Sequence, residues 1–183
     1  MKMKTRTLII GGVLAVGIAG IVTRASHLQF GSRSNSPPAN VSTSVAGKRI
    51  SIEYYAPSMH GRKVMDGLVP FGEVWCTGAN WATKITTEGS LEIGGLKLAP
   101  GSYSIWTVPN EKEWTLIINK QTGQFHLNYD SSRDLGRTKM DVKKLSTPVE
   151  TFTIELKPGT GNKGTLALLW ETTEASIPFT VVQ

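Results

Sequence analysis

KRISIEYYA, residues 48–56, sets Ile50, Ile52 and Tyr54 against Arg49, Ser51 and Glu53, a period of two that only an extended chain with one buried face produces. Runs of the same kind recur at ATKITTE (82–88), LEI (91–93), LKL (96–98), SYSIWTVP (102–109), EWTLIIN (113–119), TFTIEL (151–156), TLALLWE (165–171) and SIPFTVV (176–182). Between them stand Gly94-Gly95, Ala99-Pro100-Gly101, Pro109-Asn110 and Pro158-Gly159-Thr160-Gly161, residues that supply a positive or a preset φ for tight turns. Outside the first 25 residues no stretch sustains a helical period for three turns. Short strands at close spacing without intervening helices predict an all-β domain: a single antiparallel β-sandwich, jelly-roll or Ig-like, of roughly eight to ten strands. A closed barrel is the alternative.

The amino-terminal part obeys a different rule. Met1–Arg6 is basic, and residues 8–22 (LIIGGVLAVGIAGIV) are apolar and uncharged. That order is the n-region and h-region of an export signal. Fifteen apolar residues are fewer than the roughly 20 a full span needs, and Thr23-Arg24-Ala25 is a loose small-x-small step. Residues 1–25 therefore read as a signal peptide or a signal-anchor helix that fixes the chain to a membrane through residues 8–22. Residues 26–40 are rich in Ser, Asn, Gly and Pro, the composition of a tether. In both readings the domain 41–183 faces an extracytoplasmic space, periplasmic or external.

Charge excludes one class of partner. The chain carries +6, but residues 1–40 hold five basic residues and no acid, which leaves 15 Lys+Arg against 14 Asp+Glu beyond them. A domain near neutrality lacks the basic stripe that displaces counterions from a phosphate backbone, so no nucleic acid is expected.

GRKVMDGLVPFGEVWCTGAN, followed in order by LAPGSYSIWTVPNEKEWTLIINK, TPVETFTIEL and TLALLWETTEASIPF, resembles a bacterial domain-of-unknown-function family, number 2911, over about residues 41–183. The resemblance implies an exported β-rich domain without an assigned activity. Many members resemble W-R-T-G-A-N followed by a small or acidic residue, where this chain has Cys76 and Trp81.

Candidate chemistry concentrates in residues 57–81, a long connection with Pro57, Pro70 and four glycines. Its Leu68, Val69, Phe71, Val74 and Trp75 predict a plug packed over one end of the core. A ligand site on it would use Arg62, Trp75, Asn80 and Trp81, with Tyr54 at the strand end leading into it: a guanidinium fork for paired acceptors and indole faces for stacking. The competing reading has Arg62 and Asn80 tying the loop to backbone carbonyls. Cys76, the lone cysteine, is read as a small buried side chain, since neither His60 nor His126 stands at a spacing that predicts a catalytic pair. His60, His126, Cys76 and Met59 are copper-ligand types, but their spacing lacks the crowded hairpin of a blue-copper site. No cofactor, metal or catalytic residue is assigned. The function predicted is a non-catalytic domain that binds a small molecule, a glycan or an envelope protein; the alternative is a hydrolase with its site in 57–81, using Cys76 or a carboxylate such as Glu53 or Asp66.

Overall fold

The computed structural model describes residues 36–182. The expected signal or anchor helix, and the tether as far as Asn35, lie outside the described residues. Nine strands follow: β1 (Pro38–Val45), β2 (Lys48–Tyr55), β3 (Thr83–Thr87), β4 (Ser90–Ile93), β5 (Leu96–Leu98), β6 (Gly101–Val108), β7 (Glu113–Asn119), β8 (Asp134–Pro158) and β9 (Lys163–Val182). A single 3-10 turn, Ser131–Arg133, precedes β8. Strand β1 begins within the stretch whose composition reads as tether.

The alternation in the sequence is the alternation in the fold. In β2, Ile50, Ile52 and Tyr54 are buried while Lys48, Arg49 and Glu53 are exposed. In β6 and β7 burial extends to both faces. Ile105, Trp114, Leu116 and Ile118 enter the main core, while Trp106 and Ile117 form a smaller cluster with Cys76 and Ala82. Segments 75–82 and 124–129 cover this second face, so the middle of the sheet is dry on both sides.

All pairings are antiparallel, and the order is β1-β2-β3-β6-β7-β8-β9-β4-β5. Where the alternation predicts a sandwich, the strands join into one continuous sheet. The physical reason lies in β8 and β9, which bend instead of ending. Their pairing runs from Asp141↔Ser176 to Lys144↔Thr173 and resumes at Val149↔Glu171, so residues 145–148 stand against Thr172 alone. A second shift precedes Thr153↔Leu169, and Glu171 has a φ of 53°. Extra residues on one strand bend it and sharpen its twist. Beyond the bend, the far half of the hairpin reaches β1 and the end of β2: the Ile154 N–H donates to Tyr54 Oη at 3.2 Å, and Tyr54 meets Phe152 edge to face at 5.7 Å.

Candidate functional site

Backbone bonds to three separate elements fix residues 57–81. The Met59 N–H donates to the Glu150 carbonyl and the Phe152 N–H to the Pro57 carbonyl. Two carboxylates reach across from the hairpin: Glu150 Oε1 accepts from the His60 N–H at 2.8 Å, and Glu171 Oε2 from the Met65 N–H at 2.9 Å. Gly72 donates to the Pro109 carbonyl, and beyond the start of β3 Trp75 exchanges both backbone bonds with Thr107 of β6. Val64, Met65 and Val69 join the main core while Leu68 and Val74 stay exposed. The segment is a plug. Thr77, with a φ of 55° unusual for a β-branched residue, is held by Thr83 Oγ1 donating to its carbonyl at 2.6 Å and by the Thr107 hydroxyl 3.1 Å from its own.

Of the five residues expected at a ligand site, Tyr54 and Trp81 border one cleft, and Arg62, Trp75 and Asn80 are not among its lining residues. Tyr54 is buried and committed to Phe152 and the Ile154 amide. Arg62 donates from Nε to the Met59 carbonyl and from Nη2 to the Ser58 carbonyl, both at 2.8 Å, so its fork stabilises the loop. Trp75 stacks on Trp170 at 5.8 Å, meets Trp114 and Phe152 edge to face, and donates its indole N–H to the Gly78 carbonyl. Asn80 takes the left-handed conformation, φ 60°, that short polar side chains tolerate, and its carbonyl accepts from the His126 N–H. Arg62 is exposed, and of the three aromatic residues Trp81 alone is presented to solvent, at 48% exposure.

Trp81 borders a cleft of about 430 Å³ between the ends of β1 and β2 and the start of β3. Asn40, Glu53, Tyr55 and Lys84 line it, and Tyr54 contributes to its wall. Glu53 and Lys84 are cross-strand partners with a 2.8 Å ion pair. Phe125 braces the indole: its centroid lies 5.8 Å away with the rings at 84°, and the two residues form a β-bridge. Ala82 donates to the Gln124 carbonyl and His126 to that of Asn80, so 80–82 and 124–126 make a short ribbon. Phe125 and Leu127 are themselves 39% and 75% exposed. Sequence reasoning missed Phe125 because its pairing with Trp81 is long-range. Tyr54, expected at the site, shares the cleft wall with Tyr55, which the alternation turns outward.

The hydrolase candidates do not converge. Cys76 is buried among Ala82, Trp106 and Ile117, and burial pushes its thiol up to about 12, against two smaller backbone hydrogen-bond effects. A nucleophilic thiol needs the opposite shift. Glu53 is paired with Lys84, and Asp66 faces Lys63 at 3.7 Å on an exposed turn. Among the described residues no group of three or more His, Cys, Asp or Glu gathers around a common point. The other dense polar cluster is Tyr129–Asp134–Arg137. Tyr129 Oη donates to Asp134 Oδ2 at 2.7 Å, Arg137 donates to the same oxygen, and Asn119 donates to Asp134 Oδ1 at 2.9 Å. Burial, followed by the bond to Asp134, raises the Tyr129 hydroxyl to about 12, so it remains a donor. These bonds fasten the turn before β8 to β7.

A family model described as "Protein of unknown function (DUF2911)" matches residues 36–179. No curated protein and no solved structure matches the chain.

Proposed function

The chain belongs to the DUF2911 family of proteins of unknown function, and from that premise we propose that its β domain is a non-catalytic binding module whose cleft beside Trp81 takes a carbohydrate ring. The observation that carries this reading is the half-exposed indole of Trp81, braced by Phe125 at the mouth of a cleft with polar groups on its rim. A flat aromatic face covers the apolar C–H face of a sugar. Asn40, Glu53 and Lys84 offer donors and acceptors to its hydroxyls, and about 430 Å³ lies within the roughly 300–1,000 Å³ of small-ligand sites. Bracing matters because a platform fixed beforehand loses little freedom on binding.

Two further expectations belong to this proposal. The basic run Met1–Arg6 and the apolar residues 8–22 support an extracytoplasmic location, with the segment cleaved as a signal or kept as an anchor. The return of the far half of the β8–β9 hairpin to β1 and β2 supports a sandwich made by folding one sheet onto itself. The domain thus displays its cleft to envelope or external glycans.

Calorimetric titration of the full chain with β-1,4-linked glucose and N-acetylglucosamine oligomers tests the binding claim. Trp81→Ala should weaken binding about tenfold or more, the loss of one stacking platform, while Arg62→Ala leaves it unchanged. Undiminished binding by Trp81→Ala would move the site elsewhere, and no binding to any oligomer would defeat the carbohydrate reading.

A further inference from the structure

Where β8 and β9 bend, the strands part around a second cavity of about 330 Å³. The mispairing that bends the hairpin also opens it: Lys144↔Thr173 is the last pair before residues 145–148 stand against Thr172. Because β7 pairs with β8 through Glu113↔Asp141, the turn residue Lys112 just before it falls beside Val142, Lys143 and Lys144. Three lysines, one from the turn before β7 and two from β8, therefore line one cavity, with Glu111 the only carboxylate among the lining residues. Lys143 is committed to the buried Glu174 at 2.9 Å. Neighbouring Glu113 is taken by Lys139 at 3.0 Å. Among the described residues no carboxylate lies within ion-pair distance of Lys112 or Lys144, both exposed.

We propose that this cavity at the hairpin bend binds a phosphate group. Lysines from a turn and from strand β8 act as separate point charges, which suits a tetrahedral anion of high charge; a planar carboxylate is better held by a guanidinium fork, and no arginine lines the cavity. Thr172 and Thr173, from the opposite strand, bring hydroxyls that complete a shell around the oxygens. Trp114 also forms part of the wall, and its indole N–H, closed off from solvent, has no hydrogen-bond partner among the described residues. Buried N–H groups are rarely left so. This site is separate from the carbohydrate cleft, and its test does not depend on that reading.

The full chain, ¹⁵N-labelled in detergent micelles, would be titrated with inorganic phosphate at constant ionic strength. The Trp114 indole and Thr173 amide signals should shift to saturation. Replacing Lys112→Ala and Lys144→Ala, both on the surface and therefore neutral for folding, should weaken the response by about tenfold for each lysine removed. Acetate at the same ionic strength should produce no saturable change. A response that never saturates, one that acetate reproduces, or one that survives the double substitution would overturn the assignment.

Discussion

Cys76 and Trp81 stand in the same short stretch and meet opposite environments. Cys76 faces inward, against Trp106 and Ile117, while Trp81 turns out beside Phe125. The environment determines the chemistry of each. In the fold the Cys76 thiol titrates near 12 and not at its ordinary 9.0 because burial penalises the thiolate. The sign follows from linkage: below pH 9 both folded and unfolded chains hold the proton, and above it only the folded chain does. The contribution of this group is complete below pH 9 and is lost as pH rises through about 12. Stability measured between pH 9 and 12 should therefore fall less steeply for Cys76→Ser than for the wild type. At neutral pH Cys76→Ser should cost about 1–3 kcal/mol, a hydroxyl replacing a thiol in an apolar corner, with ligand binding unchanged. Identical alkaline slopes for the two proteins would remove burial of the thiol as the cause. Equal stability at neutral pH would contradict the packed corner.

At the scale of elements, the plug 57–81 depends on the bend of the β8–β9 hairpin. Glu171 holds a positive φ in a strand, a cost that persists because its carboxylate accepts the part-buried Met65 N–H. Glu171→Ala keeps the unfavourable φ and removes the acceptor, so a loss of about 1–3 kcal/mol is expected. Hydrogen exchange at the Met65 amide should accelerate more than at the β2–β3 ladder; unchanged protection at Met65 would show that the carboxylate does not hold the loop. The strands that form the plug's floor are legible in the sequence because each carries an apolar residue at every second position. Ile50, Ile52 and Tyr54 mark β2, and Trp114, Leu116 and Ile118 mark β7. Three things were not legible. Strand β1, PANVSTSV, has only the short side chains of Ala39, Val41 and Val45 to mark its inner face within a polar stretch, and the first half of β8, DLGRTKMDVKKLSTPVE, is largely exposed and polar, so neither stands out. Strand β9 reads as two segments because Glu171, Thr172 and Thr173 interrupt its apolar pattern at the bend. Arg62 serves the loop because a turn-rich segment must satisfy its own carbonyls first.

For the molecule as a whole, the cleft beside Trp81 lies where β1 first pairs with β2, close in sequence to the amino-terminal segment. A reporter fused after Asn40 should be active outside the cytoplasm, and activity confined to the cytoplasm would refute export. The tryptophans themselves report on the exposure of Trp81. Of the five in the chain, Trp106, Trp114 and Trp170 are buried and Trp75 is partly buried within the aromatic cluster, which leaves Trp81 as the indole open to a soluble quencher. Acrylamide quenching of the full chain, with and without a saturating oligosaccharide, measures that exposure directly. The account predicts one quenchable component, absent in Trp81→Phe and withdrawn from the wild type by the oligosaccharide. A quenchable component that persists at saturation would contradict it.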